Sequence, residues 1–335
     1  MAHIVPEGYK SKLGVKQTQR AIKLLKDGFE ERLCGALNLT RVSAPLYVPA
    51  SSGLNDDLNG VERPVDFDLK EMPGEQMQIV QSLAKWKRFA LKEYRFPVGE
   101  GLYTDMNAIR RDEQTDNLHS TYVDQWDWEK VITAQERNLD TLKTTVSYIH
   151  DAIYETAEEI GRKYPQLKNR LPEEIAFITT QELEDLYPEL APEARERAYV
   201  KEYGGAFFMQ IGWPLRSGKP HDLRAPDYDD WSLNGDLVYY HKELDVALEI
   251  SSMGVRVDPL AMEKQLAHAG QKARKSRPFH AALLAGELPL TIGGGIGQSR
   301  LCMLLLHKAH VGEVQVSVWP EEQRRMLEDK GIAIL

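Results

Sequence analysis

Near the C-terminus the chain reads TIGGGIGQSRLCMLLL, from Thr291 to Leu306. Three consecutive glycines and a fourth two places on leave the backbone bare, and Arg300 separates them from an almost wholly apolar run. The spacing predicts a glycine-rich loop followed by a buried helix, with one fixed positive charge at the helix mouth. A flexible turn before a core helix would also give bare glycines, so the familiar nucleotide loops need testing against the residues. A GxxxxGK[ST] phosphate loop fails, because Gln298, Ser299 and Arg300 follow Gly297. The dinucleotide fingerprint GxGxxG starts at Gly293 and Gly295 but meets glutamine at position 298. A third arrangement fits better: a flat backbone under a nucleotide, and an arginine that reaches its phosphates or stacks on its base.

Bulk properties narrow the classes further. In 335 residues, 42% are apolar and 28% charged, which is a soluble globular balance with ample material for a core. A formal charge of −9 counts against a general nucleic-acid or membrane binder, since such partners need a basic face. No segment approaches a membrane span, and the N-terminus lacks the apolar stretch of a secretory leader. The two cysteines, Cys34 and Cys302, sit among apolar residues without a CxxC, which predicts a reduced, cytoplasmic protein. HExxH, GxSxG and zinc-ligand spacings are missing from the sequence.

Periodicity supplies the fold class. Apolar residues at helical spacing from Val15 to Leu39 predict an amphipathic helix, running into an edge strand in LTRVSAPLYVP. QMQIVQSLAKWKRFAL reads as a second helix. FPVGEGLYTDMNAIRRDEQ and STYVDQWDWEK read as two strands joined by a polar turn, and alternation places Gln125 and Asp127 on one face. The stripe at 139, 142, 146, 149 and 153 predicts a long core or dimer helix stopping near Pro165, and 182–202 looks helical. GAFFMQIG and two runs within DLVYYHKELDVALEISSMGVRVD are further strand candidates. Strands in antiparallel-looking runs, with helices outside the runs, predict an α+β fold with a mostly antiparallel sheet flanked by helices.

The segment GGGIGQSRLCMLLL closely resembles the third signature of class II aminoacyl-tRNA synthetases. NAIRRDE followed by DQWDWE is similar to their second signature, and the helix leading into VSAPLYV resembles the first, a dimer element whose strand ends at proline, here Pro45. QSLAKWKR, DQWDWE, LEISSMGVRVD and the glycine segment look like the aspartate-specific branch. Over nearly the whole length, with GEGLYT, RAPDYDDW and LNGD added, the chain resembles the asparagine synthetase A family of ammonia-dependent aspartate–ammonia ligases. The resemblance implies one class II synthetase-like catalytic domain over 1–335 with a helical insertion at about 130–202, no preceding tRNA-binding domain, and a cytoplasmic homodimer that binds neither nucleic acid nor membrane. It implies that ATP and Mg²⁺ activate the β-carboxylate of L-aspartate as an adenylate, which ammonia attacks to give asparagine and AMP.

The same resemblance implies residue roles. Arg110 takes the α-phosphate and Arg300 the far phosphates or the adenine face, forming a cationic clamp on a pentacovalent phosphorus. Gly293, Gly294 and Gly295 floor the ATP site. Asp236 and Glu249 match the acidic metal positions, Glu249 also touching ATP; two acids suffice for Mg²⁺, whose other ligands are phosphate oxygens and water. Lys87 and Arg256 sit where aspartate's unreactive carboxylate is gripped, here the α-carboxylate because the β one reacts. Asp57 and Asp127 face the α-ammonium, with Gln125 between them and Ser252 of SSMG completing the substrate set. Ammonium must lose a proton to become a nucleophile, and Asp229 of PDYDDW is the carboxylate assigned to accept it, with Asp227 and Asp230 as alternatives.

Three features of the sequence bear on this reading. In the aspartyl-tRNA synthetases that the chain resembles, an aromatic ring usually backs the adenine two residues before the glutamine, and Val123 stands there instead. Only Ser232 separates Trp231 from Leu233, a short link that leaves the cover over the ammonia entrance and the role of Asp229 open. Residue 2 is alanine and both cysteines lie in predicted helices, so free ammonia rather than glutamine is the expected nitrogen donor. An aspartyl-adenylate enzyme serving tRNA and a sensor that has lost catalysis are the competing readings. A sensor would be expected to lose arginines or metal acids, and Arg110, Arg300, Asp236 and Glu249 are all present.

Overall fold

The computed structural model describes residues 5–56, 58 and 62–335. The first amphipathic stripe forms helix α1 (Val15–Leu37), which buries Ala21, Leu25, Phe29, Leu33 and Leu37 at intervals of four. Each Leu or Phe so buried contributes roughly 1.5–3 kcal/mol. Asn38, in the left-handed region at φ 58°, ends the helix and turns the chain into β1 (Leu39–Arg41). The run read as one strand is in fact two, β1 and β2 (Tyr47–Pro49), parted by Ala44 and Pro45.

After a short 3-10 turn come β3 (Asp66–Asp68), β4 (Gln76–Ile79) and α2 (Ala84–Glu93). QMQIVQSLAKWKRFAL is therefore not one helix. Its first residues pair with β2 and β3 in a small three-stranded sheet, and the helix begins only after Ser82, whose hydroxyl accepts from the Ala84 amide at 3.1 Å. Strands β5 (Gly101–Ile109) and β6 (Tyr122–Val131) form the expected hairpin, with Met106 opposite Gln125 and Thr104 opposite Asp127.

Helix α3 (Leu139–Lys163) starts at an Asn138 cap, 2.8 Å from the Thr141 amide, and ends two residues before Pro165. Then follow β7 (Ala176–Thr179), α4 (Thr180–Leu186), α5 (Pro192–Tyr203) and β8 (Gly205–Met209). The helical stretch predicted at 182–202 is thus divided, α5 restarting on Pro192, a residue suited to the first turn. The chain continues through β9 (Asp229–His241), β10 (Val246–Arg256), α6 (Pro259–His268), α7 (Pro278–Leu284), β11 (Thr291–Gly297), α8 (Gln298–Leu305) and α9 (Glu321–Asp329).

Eight strands make one mixed sheet in the order β1-β5-β6-β11-β10-β9-β8-β7. The five inner pairings are antiparallel and the two outermost, β1 with β5 and β7 with β8, are parallel. One face carries Trp126, Trp128, Tyr239, Met253 and Ile296 into the main core beneath α1, α3 and α8. The other face carries the polar side chains, and α2 and the small sheet pack along it.

The glycines of TIGGGIG are strand, not loop. None of Gly293, Gly294, Gly295 and Gly297 has a positive φ, so conformational freedom is not their purpose. A Cβ on Gly293 would run into the carboxylate of Glu129, and one on Gly295 into the amide of Gln125. On Gly294 it would strike Met253 from the core side. Bare backbone in β11 lets neighbouring side chains lie across it.

Candidate active site

Residues opposite one another in an antiparallel pair point to the same side of the sheet. Gln125, Asp127 and Glu129 lie opposite Gly297, Gly295 and Gly293, while Ser252 and Gly254 flank the same glycines from β10. Asp236 pairs with Ser252, and Asp229 with Arg256. One register thus gathers Gln125, Asp127, Glu129, Ser252, Arg256, Asp229 and Asp236 on one face. Above them opens a cavity of about 480 Å³, whose wall includes Lys87, Arg110, Asp229, Glu249, Arg256 and Arg300.

The inner end of this cavity is a closed set of charges. Arg256 donates through Nε and Nη2 to Glu129, at 3.0 and 2.8 Å, and through Nη1 to Asp229 at 2.6 Å. Lys87 pairs with Asp127, donates to the Trp128 carbonyl at 2.8 Å and lies 3.4 Å from both Glu129 and the Gly294 carbonyl. Arg88 backs the group, donating to the carbonyls of Val257 and Pro289 at 2.9 and 2.7 Å, and its burial brings its guanidinium down to about 10. Burial alone would raise Glu129, yet Arg256 and Lys87 outweigh it and hold the carboxyl below its usual range. At Asp229 burial wins over Arg256, and the carboxyl is raised. With three of its five N–H groups engaged, Arg256 keeps two for a ligand.

The outer end is open. Arg110 follows β5, its amide still bonded to the Thr121 carbonyl at 2.9 Å, and its buried Nε has no hydrogen-bond partner among the described residues. Arg300, on the first turn of α8, donates to the Glu249 carbonyl at 3.1 Å and stands 3.8 Å from that residue's carboxylate. Val123 and His119 line the wall nearby. The His119 ring is held by Asp116 at 2.9 Å, which also accepts from the amides of Leu118 and His119.

Asp236 lies beside this end without lining the cavity, ion-paired to Arg224. Burial pushes its carboxyl up to about 7, with Glu249 adding to the rise and Arg224 opposing it. Its Oδ1 is buried and takes no hydrogen bond among the described residues. An orphaned carboxylate oxygen close to a second carboxylate fits a hard cation such as Mg²⁺, although no cluster of three or more candidate ligands occurs among the described residues.

Most of the expected site residues therefore converge. Arg110, Arg300, Asp229, Lys87, Gln125, Asp127, Ser252, Arg256, Glu249, Gly294 and Gly295 line the cavity. Gly293 does not; its bareness accommodates Glu129. Asp57 lies outside the described residues, and its neighbour Asp56, 2% exposed, lines the cavity instead. The three carboxylates of PDYDD part company. Asp229 faces the cavity, Asp230 is drawn to Arg137 at 3.0 Å, and Asp227 is buried against Arg274 and His280 at 2.9 and 3.0 Å. Cys302 is buried and its thiol is pushed up to about 12, while burial also raises Cys34.

Sequence reasoning missed Glu129, Arg224, Asp56 and Tyr228. Glu129 was within reach, because the alternation through Gln125 and Asp127 continues to it. Arg224, paired with Asp236, and Tyr228, which lines the cavity, both precede β9 inside RAPDYDDW, where no spacing singles them out from the three carboxylates.

Solved structures with this fold include two asparaginyl-tRNA synthetases in complex with asparaginyl-adenylate. For that of Pyrococcus horikoshii the TM-score is 0.67, at 14% identity over 91% of this chain and 70% of that one. For that of Entamoeba histolytica it is 0.65, at 14% identity over 90% of this chain and 66% of the other. The fold is therefore that of the class II aminoacyl-tRNA synthetase core. Within that class, residues 16–331 match the family model described as Aspartate-ammonia ligase. An aspartate–ammonia ligase of Clostridium perfringens is 59% identical over 99% of this chain and 98% of its own length. One of Lactobacillus johnsonii is 56% identical over the full length of both. The chain belongs to the aspartate–ammonia ligase family, and it is a ligase of that kind.

Proposed function

We propose that this ligase makes L-asparagine through a β-aspartyl-adenylate, releasing pyrophosphate in the first step and AMP in the second. The observation that carries the reading is one continuous cavity whose inner end is a closed set of paired charges and whose wall further out holds Arg110 and Arg300, with room for a small zwitterion beside a nucleotide. Aspartate takes the inner end. Its α-carboxylate meets the two spare donors of Arg256 and the edge of Lys87, whose longest bond, to the Gly294 carbonyl, is the easiest to exchange. Its ammonium faces Asp127 and Gln125, with Ser252 and Asp57 completing the set. That orientation directs the β-carboxylate toward the outer end.

ATP lies along β11 over Gly294 and Gly295, its base on Val123 opposite Arg300. Arg110 meets the α-phosphate from the end of β5, and Arg300 also reaches the more distant phosphates. Fixed cations of this kind act on charge that develops at phosphorus, and they need no reorganisation to do so. Asp236 and Glu249 would hold Mg²⁺, which supplies charge neutralisation on the phosphates. Asp229, which lines the cavity, is the carboxylate that receives a proton from ammonium, a task that suits a carboxyl raised by burial. The thiols of Cys34 and Cys302, both raised by burial, suit a core role, and ammonia is the nitrogen donor.

The same reading takes the chain as one catalytic domain with a helical insertion at about 130–202, acting as a cytoplasmic homodimer. No helix of the described residues is long and apolar enough to cross a membrane. Incubation with aspartate, ATP, Mg²⁺ and ammonium, with glutamine substituted in a parallel reaction, tests the chemistry. Asparagine and AMP in equal amounts with ammonium are expected. ADP in place of AMP would overturn the adenylate route, and equal rates with glutamine would overturn the choice of donor.

A further inference from the structure

Helix α8 presents Arg300, yet it cannot cap itself. Its N-cap is Gly297, which offers no side chain, and a Cβ there would stand 3.3 Å from the Cβ of Arg300. The first turn contains no acidic residue. A helix start in this condition leaves amide donors and the positive end of the dipole uncompensated.

Asp124 supplies what is missing from another strand. Its Oδ1 accepts from the Ser299 amide at 3.1 Å, and its Oδ2 accepts from the Ser299 hydroxyl at 2.8 Å. Gln315 donates to Oδ1 at 3.2 Å and to the Ser299 hydroxyl at 3.0 Å. Lys26 of α1 donates to Oδ2 at 3.2 Å and to the Gln298 side chain at 2.8 Å. Asp124 therefore receives four hydrogen bonds, about the full capacity of a carboxylate. It lines the cavity, but its lone pairs are already taken, so its contribution to a ligand passes through the residue after Ser299.

We infer that Asp124 is the positioning residue for Arg300: it caps α8 from β6, fixes the direction in which the arginine enters the ATP site, and through Lys26 ties that direction to α1. The inference rests on the reading of Arg300 as an ATP-gripping residue. Asp124→Asn keeps the acceptor for the Ser299 amide but turns donors toward the Ser299 hydroxyl and Lys26, so the cap loosens without a cavity.

The test is a double-mutant cycle on the KM for ATP. Asp124→Asn is expected to raise it about tenfold, the scale of a lost cap, with the KM for aspartate unchanged. In an Arg300→Ala background the same change should add less than twofold. Lys26→Met, outside the cavity, should raise the KM for ATP about threefold in the native background and leave it unchanged in Arg300→Ala, which a merely structural loss would not do. If Arg300→Ala itself leaves the KM for ATP unaltered, the reading of Arg300 fails. If Arg300→Ala weakens ATP but Asp124→Asn multiplies that effect in full, or has none alone, the positioning role fails by itself. Thermal melting of each variant keeps the two cases apart from unfolding.

Discussion

Lys87 and Arg256 at the inner end of the cavity, and Arg110 and Arg300 at its outer end, are four cations on one sheet face held in opposite ways. The side chains of Lys87 and Arg256 are 0% and 3% exposed, and both are tied to Asp127, Glu129 or Asp229. The Arg300 side chain is 25% exposed and rests on a backbone carbonyl, with the half-exposed Glu249 carboxylate at 3.8 Å. Charges removed from water are costly unless paired, so the inner end is pre-balanced and rigid. Charges left at a wetter rim cost little to keep and are free to be neutralised by what binds. A small substrate with fixed charges suits the first arrangement, and a flexible polyanion suits the second.

Removing one member of the inner set should have the largest effect. Arg256→Met leaves Glu129 buried with Lys87 as its remaining ion-pair partner and the Thr291 hydroxyl as its remaining donor, and should cost about 3–5 kcal/mol of stability; a melting temperature near that of the native chain would show that the pair is not integral to the fold. At the outer end, Arg300→Ala should reduce aspartate-dependent ATP–pyrophosphate exchange by about 10²–10³-fold, the range seen for lost transition-state donors. Its melting temperature should stay within a few degrees of native, because the arginine is partly exposed.

The two ends should also differ with pH and salt. Glu129 has a folded-state pKa below its unfolded value, so its stabilisation is fully present above about 4.5 and is lost as pH falls through the lower folded value. Glu129→Gln should therefore be less stable than native at pH 7, and the gap should narrow as pH drops below 4.5; a constant gap would remove Glu129 from the balanced set. The smallest effect is ionic. Raising salt from about 0.05 to 0.3 M should increase the KM for ATP severalfold while moving that for aspartate little, since screening acts on exposed charge.

How much of this was readable beforehand varies with the range of the interaction that decides each element. The hairpin of β5 and β6 followed from strict alternation, which already placed Gln125 and Asp127 together. The strand β4 reads as part of the helix behind it because QMQI has no local stop signal; only its pairing with β2 and β3 separates it. Glycines are depleted in strands, so TIGGGIG read as a loop. It is a strand because Glu129, Gln125 and Met253 reach across it from β6 and β10. The choice among Asp227, Asp229 and Asp230 was likewise undecidable locally. Their partners, Arg274 and His280, Arg256, and Arg137, lie 27 or more positions away. The cap that Asp124 gives α8 spans 175 residues and left no mark in the order of the sequence.

In the proposed mechanism, aspartate's β-carboxylate, held with its back to Arg256 and Lys87, attacks the α-phosphate beside Arg110. Aspartate labelled with ¹⁸O in the β-carboxylate, turned over with ATP and ammonium, tests it directly. The expected result is one ¹⁸O atom in the phosphate of AMP for each asparagine formed. Label in inorganic phosphate with ADP as the co-product, or unlabelled AMP, would contradict it.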